Sequence, residues 1–278
     1  MAGGVRGVRA YCTVDELMAV ALARTIEDHA VVFNGVAVAL PYLAILLAQK
    51  THAPNCVFLA GLPAGVDPHP PFLPPTAGDA LLLQAAVVTL PLHEIFDLAQ
   101  RGELDRSFLG GGQIDRHGNL NNAWIGCDGM RVRLPGGAGA GSLSCFARKF
   151  TVWSGRHRGN GRSTLVERVD FITTVGHDTP AGSRSALHLK GGGPDRVVTD
   201  LCTFDFSGGE MRLKTLHPGI SLTCVLGNMG FQPRIPGSLV QTPPPTAEEI
   251  QIIRRLDPLK VRQREFSPRQ LERKFPVA

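Results

Sequence analysis

The 278-residue chain has few aromatic side chains, 6% in all, so it has little material for a base-stacking surface on single-stranded nucleic acid. Its six cysteines, Cys12, Cys56, Cys127, Cys145, Cys202 and Cys224, lie far apart with no CxxC pair. That argues against a structural metal, because a zinc tetrahedron is set by closely spaced thiolates or imidazoles. The opening MAGGVRGVRAY lacks the apolar core of a secretory signal, and unpaired thiols without a signal point to a reducing cytoplasm. The longest apolar run, Val31 to Ala48, is broken by Asn34, Gly35 and Pro41, which reads as strand, turn and buried helix rather than a membrane span. Neither GxGxxG nor GxxxxGK(S/T) occurs, so dinucleotide and P-loop chemistry is unsupported. No glutamate stands between Glu27 and Glu94.

Hydrophobic residues make up 43% and charged residues 19%, an ordinary globular mixture that excludes coiled-coil, collagen-like and disordered chains. The net charge of +5 is unevenly placed: residues 1–120 hold 7 basic and 11 acidic side chains, residues 121–278 hold 22 and 13. A basic second half suits an anionic partner or simply a solvated face. A nucleic-acid patch over Arg131, Arg133, Arg148, Lys149, Arg156, Arg158 and Arg162 would lack aromatic interleaving and leave the glycine loops idle.

Thr13-Val-Asp-Glu16 is a capping box, and the apolar face behind it predicts a helix to about Asp28. Strands are expected at Ala30–Phe33 and Cys56–Ala60, with a helix at Tyr42–Lys50 between them and Pro41 in its first turn. The alternation predicts an α/β fold: an open, mostly parallel sheet with flanking helices. The proline-rich segment 61–78 reads as a long loop leaving a strand end, where ligands gather in such sheets. Leu81–Leu90 is expected to return to the core, Pro91 to start a helix to Gln100, and Ser107–Leu109 to form a strand. Val169–Val175, Arg196–Thr199 and Met211–Leu216 are further expected strands, the last two flanking a Gly208-Gly209 hairpin. Pro243–Pro245 precedes a helix start at Thr246-Ala-Glu-Glu249. One unit spans 1–278, with a core over 12–265 and a basic tail at 266–278.

Two glycine loops carry the chemistry. Gly110-Gly-Gly-Gln-Ile-Asp-Arg-His-Gly-Asn-Leu-Asn121 follows a strand; its glycines let backbone approach a ligand and aim amides at negative charge, while Asp115 and Asn119 can fix the next turn. Pro135-Gly-Gly-Ala-Gly-Ala-Gly-Ser142, behind Arg131 and Arg133, suits a phosphate, thioester or carboxylate, and equally suits a flexible turn. His117, His177 and His217 are available as acids or bases, although histidines at such positions are more often structural.

GGGQIDRHGNLN resembles the GGAQID-x-x-GN-x-N segment of the β-type subunit of family I coenzyme A transferases. LPGGAGAG resembles that family's GSGGAN-like loop. Val197–Leu201, Phe204-Asp205-Phe206, Met211-Arg-Leu, Leu216-His-Pro-Gly219, Asn228-Met-Gly-Phe231, Pro245–Glu249 and Leu256-Asp-Pro258 follow in the family's order, so the resemblance covers roughly 13–265. It implies a domain paired with a homologous α-type subunit, as α2β2, with the active site between them and coenzyme A arriving as part of the substrate rather than as a resident cofactor. It implies substrate contacts from Gly110, Gly111, Gly112, Gln113, Asp115, Gly136 and Ala138, and a backbone oxyanion donor at Gly137. In working transferases of the family a glutamate of the β-type subunit, placed after the second strand, attacks the thioester, giving an acyl anhydride and then a glutamyl-CoA. Here that position falls at Gly61, and the nearest downstream acid is Asp67. A branch that resembles this chain in Arg116, Phe204-Asp205-Phe206 and Leu216-His-Pro-Gly219 lacks the nucleophile and hydrolyses CoA thioesters, one group opening a steroid carbon ring. A hydrolase subunit is therefore expected, with a transferase subunit or a non-catalytic scaffold as alternatives.

Overall fold

The structure, a computed structural model, describes residues 11–35, 39–62, 64–126, 131–159 and 162–278. The MAGGVRGVRA stretch and Cys127 lie outside the described residues.

Ten strands form one sheet: β1 (Val31–Asn34), β2 (Val57–Ala60), β3 (Gly65–Val66), β4 (Val88–Thr89), β5 (Arg106–Gly110), β6 (Lys149–Ser154), β7 (Pro194–Thr199), β8 (Cys202–Ser207), β9 (Glu210–Leu216) and β10 (Val240–Gln241). Their order is β10-β9-β8-β7-β6-β5-β1-β2-β3-β4. The five central strands, β7-β6-β5-β1-β2, run parallel, while β8 and β3 join them antiparallel. The register sets Asn34 opposite Ala60 on one side and Phe108 on the other. The chain turns to β2 on one side of β1 and later to β5 on the other, so the crevice between them is a topological switch point.

Helices α1 (Val14–Ala23) and α2 (Ala39–Gln49) pack together over one face of this sheet. Their apolar residues join Val32, Phe58, Phe108, Trp153 and Val198 in the largest buried cluster. Opposite them, α3 (Leu92–Arg101) and α4 (Ala140–Phe146) close over Phe33, Leu59 and Leu104. The Thr13 amide donates to Glu16 Oε2 at 2.9 Å, but α1 stops at Ala23 rather than Asp28. The side chain of Arg24 there leaves the helix for the Pro243 and Pro244 carbonyls and the Glu249 carboxylate. Glu249 also completes a capping box with Thr246 at the start of α5 (Ala247–Leu256).

Four expectations need correction. The proline-rich loop contains β3, paired antiparallel with β2 at Leu59 and Val66. Leu81–Leu90 stays largely outside the core: Leu82 is buried, yet Val87 and Val88 are 73% and 52% exposed. Val169–Val175 is not a strand, because its hydrogen bonds go to the first glycine loop; Thr173 and Thr174 donate their amides to Leu120. The basic tail 266–278 is no free arm. Lys274–Pro276 pairs antiparallel with Tyr11–Thr13, Phe275 is buried, and Arg273 is paired with Asp200. Just before it, the buried Arg262 guanidinium meets Asp15 at 2.6 Å, Asp257 at 2.8 Å and Glu16 at 3.3 Å, tying the end of the chain beneath α1.

Candidate active site

The carboxyl ends of β2, β1 and β5 lie side by side, so Gly61 and the first glycine loop flank Asn34. With strands about 4.8 Å apart, Gly61 and Gly110 stand roughly 10 Å from one another across β1. The Gly61 amide donates to the Asn34 carbonyl at 2.9 Å. A Cβ on Gly61 would lie 2.7 and 3.0 Å from the Phe33 ring and 3.1 Å from the Asn34 carbonyl oxygen. The ring is buried in the cluster beneath α3 and α4, so a glutamate at this position requires it to turn. Asp67 is no substitute. Its amide donates to the Phe58 carbonyl, back from the strand end, and its carboxylate accepts from Gln49 Nε2 at 2.6 Å.

The first loop is held by its own side chains. Asp115 Oδ1 accepts the His117 and Asn119 amides at 2.9 and 3.0 Å, and Oδ2 accepts Asn119 Nδ2 at 2.9 Å, the turn role expected of this pair. Burial raises the Asp115 pKa, against the pull of those hydrogen bonds. Gln113 Oε1 accepts Asn121 Nδ2 at 2.7 Å and the Asp170 amide at 3.0 Å. Gly112 donates to Asn121 and Asn122, and Asn122 Nδ2 returns to the Gly110 carbonyl at 2.8 Å. A Cβ at Gly112 would strike Leu134 at 2.7 Å, and one at Gly111 would lie 3.0 Å from Ile114. Gln113, Asp115 and the Gly112 amide are thus committed to building the loop, and Gly110 to its strand.

The second loop is tied to the first. The Gly136 amide, at φ 105°, donates to the Asn122 carbonyl at 2.7 Å. Thr173 bridges both: its Oγ1 accepts the Asn122 amide at 3.1 Å and donates to the Leu120 carbonyl at 2.9 Å, while Gly137 packs on its Cβ. Gly139 rests on Phe96, where a Cβ would be 2.4 Å from the ring. Among the described residues, nothing accepts the amides of Gly137 and Ala138, which open the turn into α4. An oxyanion donor must be so disposed, with its N–H uncommitted on a fixed backbone. Phe33 and Thr173 carry no motif that marks them in the sequence, and the Asn-rich GNLNN string is the signal for Asn122.

The three histidines are spent on structure. His117 Nδ1 meets the Gly209 carbonyl at 3.1 Å and His177 Nε2 the Pro194 carbonyl at 2.8 Å. His217 is wholly buried; its Nε2 donates to the Thr199 carbonyl at 2.8 Å. A carbonyl only accepts, so Nδ1 must accept from Thr242 Oγ1, 2.9 Å away. The remaining hydroxyls then point one way: Thr215 donates to Thr242 at 2.6 Å, and Thr203 to Thr215 at 2.7 Å. Among the described residues no three His, Cys, Asp or Glu side chains gather as metal ligands, and no helix is long and apolar enough to cross a membrane.

A parallel-sheet switch point with two interlocked glycine loops and a strand end at Gly61 matches the resemblance, and comparison with known proteins decides it: the family model for coenzyme A transferase matches residues 15–228. The chain belongs to the coenzyme A transferase family. Within that family it is similar to the B-type subunit of the 3-oxoadipate CoA-transferase of Pseudomonas knackmussii, 36% identical over 254 residues, covering 89% of this chain and 94% of that protein. It is similar to the IpdB component of the cholesterol ring-cleaving hydrolase of Rhodococcus jostii, 31% identical over 186 residues, 64% of this chain and 69% of that one. In structure it resembles the decarboxylase AibA/AibB, at a TM-score of 0.79 and 30% identity, covering 91% of this chain and 98% of that chain. The coenzyme A transferase fold therefore serves transfer, hydrolysis and decarboxylation among the relatives of this chain.

Proposed function

We propose that this chain is the β-type subunit of a two-subunit enzyme, of α2β2 type, that hydrolyses acyl-CoA substrates without a covalent glutamyl-CoA. The observation that carries this reading is Gly61: the strand end has no side chain, and the Phe33 ring fills the space a carboxylate would need. Water takes the nucleophile's place, activated by a base on the α-type partner. In thioester hydrolysis the water oxygen bonds to the acyl carbon, the C–S bond breaks, and the proton goes to the coenzyme A thiolate. The Gly137 amide donates to the carbonyl oxygen as it gains charge. In a ring-opening variant the same water attacks a ring carbonyl and a C–C bond breaks instead, the carbanion taking the proton. The backbone about Gly110, Gly111, Gly112, Gly136 and Ala138 shapes the wall along which the acyl-CoA lies, with Gln113 and Asp115 stiffening it. Coenzyme A enters and leaves with the substrate, and no resident cofactor is needed. The IpdB and AibA/AibB relatives support a non-transferase reading.

A second reading, acyl-CoA:carboxylate transfer, is favoured by the similarity to the 3-oxoadipate CoA-transferase over 89% of this chain. Co-expression with the α-type subunit and a screen of acyl-CoAs, with and without acceptor acids, separates the two. Product formation without an acceptor supports hydrolysis. Strict dependence on an acceptor overturns it, and no turnover or coenzyme A binding in the folded complex identifies a scaffold.

A further inference from the structure

At the amino-terminal ends of β5, β6 and β7, the edge opposite Gly61 and the glycine loops, a cleft of about 530 Å³ opens where the carboxyl end of α1 leaves the sheet uncovered. That is a normal size for a small-molecule site. Its walls carry five basic side chains, Arg24, Arg106, Lys149, Arg196 and Lys214, against two carboxylates, Glu27 and Asp195. Three of these cations are satisfied. Arg24 forks onto Glu249, Lys149 pairs with Glu27 at 2.9 Å, and the buried Arg106 pairs with Asp195 at 2.9 Å and with Thr151.

Among the described residues, the other two have only a carboxylate that is already engaged elsewhere, Asp205. Arg196 donates only to the neighbouring Asp195 carbonyl, at 2.7 Å. Lys214 stands 4.0 Å from Asp205, whose carboxylate is already forked onto Arg212 at 2.8 and 2.9 Å. Burial, and next the Arg196 charge, lower the Lys214 pKa against the opposing pull of Asp205 and Asp195, as happens when more cations than carboxylates converge. The hydroxyls of the cleft carry no charge to balance them, and their hydrogens are committed: those of Thr203 and Thr215 along the chain to His217, and that of Thr25 to Leu22.

We infer that this cleft binds a small multiply charged oxyanion, held by Arg196 and Lys214 above the fixed Arg106–Asp195 pair. Guanidinium and ammonium groups recognise phosphate and carboxylate oxygens alike, so the ligand is a phosphorylated or polycarboxylic small molecule. The site stands apart from the proposed catalytic reading and does not depend on it.

Calorimetric titration of the complex with the α-type subunit tests the inference, using inorganic pyrophosphate in one arm and citrate in the other, at about 0.15 M salt, where exposed charges are screened. Saturable binding of at least one probe is expected, weakened about tenfold or more in Arg196→Gln and in Lys214→Gln, as the loss of a charge-assisted contact predicts. Acyl-CoA turnover should be unchanged in both variants. The arm that binds more tightly assigns the ligand as phosphate-like or carboxylate-like. Absence of saturable binding in both arms overturns the inference. So does binding that both variants retain at full strength, or binding that free coenzyme A displaces, because the anion would then sit at the glycine loops.

Discussion

His217 makes the pH dependence of stability calculable. Its ring is fully buried, with Nε2 donating to Thr199 and Nδ1 accepting from Thr242. Protonation would put a second N–H against a hydroxyl that already points at it, forcing the Thr242, Thr215 and Thr203 hydroxyls to reverse. Burial holds the pKa down to about 4 from 6.5, against the Thr199 hydrogen bond and the Asp200 charge, with Arg273 and His157 adding to the depression. Because the folded value lies below the unfolded one, the stabilisation is complete above about pH 6.5 and is lost as the pH falls towards 4, where the unfolded chain takes up a proton that the folded chain refuses. Two and a half pKa units at 1.36 kcal/mol each make this about 3 kcal/mol, most of it gone by about pH 4.5. Urea unfolding followed by circular dichroism from about pH 7 to about pH 4.5, on the native chain and on His217→Asn, isolates the ring, since all other titrating groups are common to both. The native chain should lose about 2–3 kcal/mol more than the variant over that window. Parallel losses would refute the argument.

Arg262→Met should cost about 3–5 kcal/mol by leaving Asp15 and Asp257 buried without their shared cation, while Glu16 keeps Arg254; the readout is a lower urea midpoint with unchanged slope. Gly61→Glu should lose about 1–3 kcal/mol as the Phe33 ring is forced aside. Coupled with Phe33→Leu it should recover stability, and intact-mass measurement after acyl-CoA treatment then reports whether a coenzyme A adduct forms. Gly137→Val should reduce turnover of the complex by about tenfold to a thousandfold through loss of an aligned oxyanion donor, and full turnover in a folded complex would remove Gly137 from the site.

Where hydrogen bonding is local, the sequence was readable. The Thr246 capping box and the Gly208-Gly209 turn follow from short-range pattern, although the strand entering that turn is Cys202–Ser207 and not Arg196–Thr199. Val169–Val175 misled because its β-branched residues suit a strand, while its partners lie some fifty residues away in the first glycine loop. The tail misled because its charge count cannot show that Lys274–Pro276 pairs with Tyr11–Thr13 or that Arg273 meets Asp200; those partners lie far away in the chain. At the site, the lack of any glutamate between Glu27 and Glu94 was visible in the sequence, and the ring packed at Gly61 was not. Phe33 precedes Gly61 by a full strand–helix–strand crossing, and only the parallel register of β1 and β2 brings them together. Gln113 and Asp115 are substrate contacts only by the family resemblance; here both side chains are buried and hydrogen-bonded within the loop.

The pairing of Arg262 with Glu16 spans 246 residues, which has a consequence for synthesis. Glu16 pairs with Arg254 at 2.8 Å, but the wholly buried Asp15 pairs with Arg262, which leaves the ribosome long after it, and an uncompensated carboxylate resists burial. Firm docking of α1 is therefore expected only once Arg262 has been made, its apolar face staying open to chaperones until then. A product cut short before Arg262 holds all ten strands of the sheet, yet its first helix should dock less firmly and be more open to proteolysis.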